Sequence, residues 1–369
     1  MIDTIKLVVP FSKCPKWLNS FKIIKKEDGF IKAVNNPTSA EKSQGVYRPR
    51  FTFIRRLSGK NGNVVHELTI EASLPKLLFG NNFEEVTEKD FDEIVNKIVV
   101  SMSNIGIPID RKQIIDASVR RVDFGKNIIL PKYASIASTI EDIKSSDISK
   151  VYNSRDTIFE NGGIGFQIHC NTMDISFYDK NSDLRRSLIS EKRSIEDDNY
   201  IQRHLTLLEN NRRATLRFEI RLSKKRRINS ELRAIGIKMD DKLKFGDIFQ
   251  RDIARDVLIA HWNKITSKIP KAKKICADSH LKIYEEIIKN EGVTPQGSLA
   301  IFGLLLLNKA ENADTIRGVI EKRFGRSTWY RLKKLTDIDT SNNGLEILLF
   351  IGKTIAEMEP ITKASLVVK

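Results

Sequence analysis

Two hydrophobic periods divide the chain. Up to about residue 228, apolar side chains recur at every second position in short runs, the period of a half-buried strand; beyond Ser230 they recur at helical spacing with little strand signal. Asp3 to Val9 alternates around Ile5, Leu7 and Val9. Phe51 to Arg56 and Val64 to Ser73 flank Gly59-Lys60-Asn61-Gly62-Asn63 and predict a hairpin. Gly165 to His169 and Met173 to Tyr178 predict a second hairpin across Cys170-Asn171-Thr172, and Ser118 to Phe124 and Thr215 to Leu222 predict further strands. Helices are expected over Glu84–Asn104, where Phe91, Ile94, Val95, Ile98 and Met102 share a face, over Ala134–Ile148, and over the charged stretch Leu184–Glu209. After Ser230 the candidates are Asp247–Ile265, Ser279–Asn290, Gln296–Asn308, Asn312–Phe324 and Ser327–Leu335, punctuated by Gly292, Pro295 and Gly325. The pattern predicts an α+β domain over 1–228, a mainly antiparallel central sheet with flanking helices, followed by an all-helical region over 229–369.

Alternation also sorts side chains by face. In Leu216 to Leu222, Leu216, Phe218, Ile220 and Leu222 face one way and Arg217, Glu219 and Arg221 the other. Arg121 and Asp123 share a face opposite Val122 and Phe124. Asp174, Ser176, Tyr178 and, if the strand runs so far, Lys180 share one opposite Met173, Ile175 and Phe177. Three strands thus each offer a charged face. The same residues suit the wet side of an antiparallel sheet, a lattice of arginine–carboxylate pairs between strands, or a phosphate-binding surface. Asp123 and Glu219 could hold a hard divalent ion. Tyr178 reads either as an amphipathic strand-end residue or as a nucleophile whose phenol a cation at Lys180 would help ionise.

Charge narrows the choice of partner. There are 63 Lys+Arg against 47 Asp+Glu in 369 residues, a net charge of +16, with 40% apolar and 30% charged residues. That composition excludes a disordered chain and an integral membrane protein and points to a polyanion, nucleic acid before an anionic membrane surface. The most apolar stretch, Leu299 to Leu307, is far shorter than the ~20 residues of a span. Three scattered cysteines and five dispersed histidines argue against disulfides and a zinc site, and fit a reducing cytoplasm. The opening MIDTIKLVVPF reads as a strand, not a signal peptide. Between Arg212 and Arg233 there are nine Lys+Arg and two acids, Glu219 and Glu231, a basic cluster that includes Lys224, Lys225, Arg226 and Arg227 and flanks the charged strand. Ile316 to Leu335, with Gly325 in its middle and Arg331 on its second half, has the outline of a helix-turn-helix. Trp329 and Tyr330 could equally be core residues or base-stacking partners.

Several segments, in order, resemble the gene II/X family of filamentous-phage replication initiators. Met1-Ile2-Asp3 with Leu7, Pro10 and Phe11 is similar to the family's opening strand. Ile70, Ala72-Ser73, Lys76, Leu78, Gly80 and Asn82 match I-x-A-S-x-x-K-x-L-x-G-x-N. Arg121-Val122-Asp123 matches R-hydrophobic-D, Tyr178-Asp179-Lys180 matches Y-x-K, and Arg217-Phe218-Glu219 with Arg221 matches R-F-E-x-R. Trp329-Tyr330-Arg331 resembles an aromatic-aromatic-Arg element. The resemblance implies rolling-circle initiation, with Tyr178 as the nicking tyrosine and Lys180 as its companion. Asp123 and Glu219 are then the motif carboxylates, for which we infer Mg²⁺ or Mn²⁺ ligation, since no His-hydrophobic-His pair occurs. Arg121, Arg217, Arg221, Lys76, Lys224, Lys225, Arg226, Arg227 and Arg331 are the expected DNA contacts. Asp3 is either a further acid at the site or a structural one. Glu71 is attractive by alternation but stands on no motif position.

The chemistry so implied is transesterification to a 5′-phosphotyrosine at locally melted origin DNA, in the host cytoplasm, with host helicase and polymerase as partners, an oligomer possible and no membrane. The rival readings are a non-catalytic origin-binding or repressor protein, a metal nuclease that uses water, and a basic membrane-surface binder.

Overall fold

The computed structural model describes residues 1–27, 29–43, 47–58, 63–131, 134–144, 155–157, 165–189, 206, 214–238, 243–267, 284–285, 287–289, 292–310, 313–335 and 346–362. The chain forms two compact units. One is Met1–Ile129 with Asn171–Leu258 and Met358–Lys369; the other is Leu130–Cys170 with Ile259–Glu357. The units follow contact rather than chain order: residues 130–170 leave the first unit and the C-terminal segment returns to it.

Among the described residues ten strands form, in chain order: β1 (Ile2–Phe11), β2 (Lys22–Glu27), β3 (Phe30–Asn35), β4 (Arg50–Ser58), β5 (Asn63–Ser73), β6 (Ser118–Ile129), β7 (Arg155–Thr157), β8 (Gly165–Cys170), β9 (Met173–Asp179) and β10 (Thr215–Leu222). In the first unit the order is β2-β3-β4-β5-β1-β6-β10-β9, with every neighbour antiparallel. The fold is α+β, a large antiparallel sheet with flanking helices and a helical C-terminal region.

Alternation builds the core. Ile5 and Leu7 on β1, Leu68 and Ile70 on β5, Val122 and Phe124 on β6, Phe218 and Ile220 on β10 and Ile175 and Phe177 on β9 are all buried. Phe177 and Phe218, directly paired across β9 and β10, stack with ring centroids 4.6 Å apart. The helix Lys225–Ala234 packs Ile228 and Leu232 against this layer, touching β6 and β10. The helix Phe91–Ser103 buries Ile94, Val95, Ile98 and Met102.

Several expected elements come out differently. The helix expected from Glu84 begins only at Phe91, after a short turn in which Thr87 and Asp90 cap each other. Glu84 and Glu85 are taken by other partners: Asn81 binds the Glu84 carboxylate and backbone, and Glu85 binds Lys126. The charged helix spans Lys180–Ile189; residues 190–205 and 207–209, which carried the rest of that expectation, lie outside the described residues. The helix expected over Ala134–Ile148 starts at Ile136 and is described to Lys144, residues 145–148 lying outside the described residues, and that expected over Asp247–Ile265 spans Arg251–Thr266. Most of Ser279–Asn290 also lies outside the description. β2 and β3 were not anticipated, nor was the helix Glu346–Glu357.

In the second unit β7 and β8 pair antiparallel, and the helices Pro295–Ala310, Ala313–Phe324 and Arg326–Leu335 share a small core of Leu304, Ile316 and Trp329. Gly325, at φ 82°, makes the left-handed turn between the last two. Trp329 is therefore a core residue, whereas Tyr330 is exposed, with the Arg326 guanidinium 5.8 Å from its ring centroid.

Candidate active site

The expected charged face exists and is centred on β6, β10 and β9. Register sets its rows: Arg217 lies opposite Tyr178 on β9 and Asn127 on β6, Glu219 opposite Ser176 and Gly125, and Arg221 opposite Asp174 and Asp123. Asp123, only 1% exposed, accepts from Arg121 Nε at 2.8 Å and Nη2 at 2.5 Å, and from Arg221 Nε at 3.2 Å. Such a fork is the strong form of an arginine–carboxylate pair. Glu219 lies 3.7 Å from Arg217 Nε and 3.6 Å from Arg221 Nη2. Burial, and next the carboxylate of Asp3, push its carboxyl up to about 7, with Arg217 opposing and Asp123 adding to the rise.

Arg217 organises the group. It crosses from β10 over β6 to β1, donating from Nη2 to Asp3 at 2.6 Å and from Nη1 to Asn127 at 3.2 Å. The crossing is possible because Gly125 stands beneath it, where a Cβ would run into the guanidinium. Burial works against its charge, and Asp3, Tyr178 and Glu219 outweigh that cost and raise its pKa. Arg217 is thus a buried structural cation as well as a motif residue.

Tyr178 is partly buried at the end of β9. Burial first, and then the Glu219 carboxylate, hold its phenol well above the ordinary range; Arg217 is the cation that opposes them. Lys180 has a different place from the one alternation suggested. β9 ends at Asp179, whose carboxylate accepts from the N–H groups of Asn181 and Ser182, and Lys180 opens the helix. Its Nζ is 5.8 Å from the Tyr178 ring centroid and donates to Asp183 at 2.8 Å. Burial pushes the Asp183 carboxyl up, but Lys180, Arg217 and Lys76 outweigh it and hold it below the ordinary range, so Lys76, on the helix Leu74–Phe79, belongs to this neighbourhood.

The remaining basic residues separate. Lys224 and Arg226 are exposed at the start of the helix Lys225–Ala234, and Lys225 is partly buried there. Arg227 turns back to Glu231 at 2.6 Å and to Met173 Sδ at 3.2 Å. This helix packs on the apolar layer, so the cluster flanks the sheet without joining the face that bears Tyr178. Four cations in a first turn oppose the helix dipole, which a nearby phosphate would relieve. Arg331 is exposed in the second unit.

The face and its border include residues beyond those expected from the sequence. Lys6 bridges Glu71 at 2.8 Å, and Glu71 lies 3.6 Å from Arg121, which brings Glu71 into the lattice although it stands on no motif position. Alternation on β1 between Ile5 and Leu7 would have found Lys6. Asp183, three residues after Lys180 on a helix, carried a spacing signal once that helix was placed. Tyr47 carried none: its hydroxyl accepts the Ser73 N–H at 2.6 Å, and burial pushes its phenol up to about 12.

Asp3, Asp123 and Glu219 supply hard oxygen donors whose mutual repulsion a divalent cation would relieve. Arginines already occupy Asp123 and Asp3, however, and among the described residues no group of three or more metal-ligating side chains is arranged to hold an ion. The arrangement fits a resident metal only if an arginine lets go.

An antiparallel sheet with an arginine-rich polar face, in a chain of net charge +16, is the build of a protein that handles nucleic acid. The chain belongs to the family described as the N-terminal part of the replication-associated gene II protein, which matches residues 1–244, and so to the gene II-type initiators of rolling-circle replication. The match contains every site residue named above except Arg331. No curated protein and no solved structure matches the chain. No helix among the described residues is long and apolar enough to cross a membrane.

Proposed function

We propose that this initiator nicks and rejoins origin DNA through Tyr178. The observation that carries the reading is the placement of a family-motif tyrosine directly across from Arg217 and close to Glu219, on a face otherwise made of arginines and carboxylates. In the proposed step the Tyr178 hydroxyl oxygen attacks the scissile phosphorus and the bond to the 3′ oxygen breaks. The products are a 5′-phosphotyrosine and a free 3′-OH that a host polymerase extends. The phenol proton passes to water as the oxygen attacks, and the departing 3′ oxygen takes a proton from water. Arg217 and Lys180 offset the charge that develops on the phosphoryl oxygens. Attack of a 3′-OH on the phosphotyrosine reverses the step and closes a circle.

The proposal includes Mg²⁺ or Mn²⁺ held by Asp123 and Glu219, with Arg121 or Arg221 displaced; a bound ion would polarise the scissile phosphate. Arg121, Arg221, Lys76 and the cluster at Lys224 to Arg227 contact the DNA backbone, and Arg331 adds a contact from the helical region. The setting is the host cytoplasm, with a host helicase to open the duplex.

The test is adduct trapping. Incubated with a labelled origin strand and Mg²⁺ or Mn²⁺, the protein should give a denaturation-resistant protein–DNA adduct. Tyr178→Phe should lose adduct and nicking at least 10³-fold and bind the strand within about threefold. Tyr47→Phe serves as the control and should still form the adduct. Cleavage without an adduct would instead mark a nuclease that uses water, and binding without cleavage a repressor.

A further inference from the structure

The polar face does not stop at the site. Antiparallel register carries it from Arg121 through Lys6 and Glu71 to Arg50, and onward over β4, β3 and β2. Lys32 on β3 pairs directly with Lys25 on β2, and Lys22 lies opposite Val34, all with the parity of that face. Arg56 on β4 has the same parity. Every residue of β2 is exposed, as is Lys32.

A lysine directly across from a lysine destabilises a hairpin. Lysines on an edge strand are ordinarily explained as protection against edge-to-edge pairing. That accounts for β2 but not for Lys32, which sits on the second strand and points along the face. The acids on this part of the sheet are already engaged: Glu27 with Lys25 at 3.0 Å, and Glu67 with Arg56 and Arg120 at 3.5 and 3.4 Å. Phe30 offers a partly buried ring with Lys25 Nζ 5.8 Å from its centroid. Cations interleaved with an aromatic suit a single nucleic-acid strand, whose phosphates and bases they engage together.

We propose that the β2–β3 hairpin is a distal binding surface for a single DNA strand, engaging the segment that flanks the scissile phosphate on one side. The inference rests on the reading of Tyr178 as the cutting residue only for which phosphate lies at the other end. From β9 to β2 there are seven strand spacings, about 34 Å, or at most about ten nucleotide steps at the ~3.4 Å of a stacked strand. The surface therefore favours strands extended on one side of the nick site by roughly that length.

The experiment compares the full chain with the double variant Lys25→Thr/Lys32→Thr, both in the Tyr178→Phe background so that binding is read without cleavage. Single strands carrying the nick site, alone or extended by ten nucleotides on either side, are titrated over a range of salt. The parent should gain about tenfold in affinity from extension on one side. The variant should lose that gain, bind the short strand within twofold, and show a salt slope lower by ~1.4 on the extended strand, the value for two lost single-strand phosphate contacts. Its melting temperature should match the parent's within a few degrees, because relief of the like-charge pair offsets loss of the exposed Lys25–Glu27 bridge. An extension gain that survives the substitution overturns the inference. So does a charge dependence confined to anionic vesicles. Loss of nicking in Tyr178→Phe without an adduct in the wild type would sink the tyrosine reading and leave this result standing.

Discussion

Gly125 shows how one missing side chain sets the site. Arg217 lies across it to reach Asp3, and in doing so links β10 to β1 over the intervening strand. Gly125→Ala should force the guanidinium off that line, at a cost of about 1–3 kcal/mol typical of overpacking. Nicking should fall with it, while Gly106→Ala, whose Cβ would meet nothing, tests only the strain of its positive φ. Thermal denaturation of both variants beside a nicking assay checks this; if Gly125→Ala keeps full activity, Arg217 does not need its bridge. The residue types of the site were legible in the sequence because alternation sorts Arg217, Glu219, Arg221, Arg121 and Asp123 to one face. Their electrostatics were not. Lys180 was expected to ease ionisation of Tyr178, yet its charge is shared with Asp183, and burial with Glu219 keeps the phenol protonated. Those effects depend on which chain segments cover the face, which spacing cannot report.

Among the elements, β10 spans Thr215–Leu222 as alternation alone predicted, because its apolar and charged residues alternate without a break. β2 was invisible for the opposite reason: Lys-Ile-Ile-Lys-Lys-Glu has no period, and in the fold none of its side chains is buried. The helix start at Phe91 was legible only in part, since the capping pair Thr87 and Asp90 was present but the acids before it looked equally helical. The helix Arg326–Leu335 resolves the two roles that Trp329 and Tyr330 could each have had. Trp329→Ala should empty the Leu304–Ile316 cluster and destabilise the helical unit by about 3–5 kcal/mol. Tyr330→Ala, at an exposed position, should stay within ~0.5 kcal/mol and show its effect, if any, in DNA affinity. Circular dichroism melts and DNA titration of the two variants separate these outcomes; equal destabilisation by both would contradict the assignment.

At the scale of the whole molecule, the first unit is closed by a buried ion pair joining three distant parts of the chain. Glu85 accepts from Lys126 Nζ at 2.5 Å, from the Asn127 N–H at 2.6 Å and from the Ile361 N–H at 3.0 Å, and Lys126 also donates to the Glu359 carbonyl at 2.7 Å. Neither the pair nor the return of the C-terminal segment was legible, since residues 85, 126 and 361 share no local pattern. Burial alone would push the Glu85 carboxyl up, but Lys126, then the Met1 ammonium and the Asn127 N–H, outweigh it and hold it below the ordinary value. A carboxyl with a depressed native pKa stabilises the fold fully above its unfolded value, ~4.3 for glutamate. That contribution is lost as pH falls through the native pKa. Glu85→Gln should therefore cost about 3–5 kcal/mol at pH 7, because it leaves Lys126 buried without its partner. The gap between wild type and variant should narrow only below ~pH 4, as protonation deprives the wild type of the same charge. Denaturant unfolding at pH 7, 5 and 3 reads both halves of the claim. A gap that is constant across that range would mean the Glu85 charge contributes nothing, and the C-terminal return would then rest on packing around Met358 and Ile361 alone.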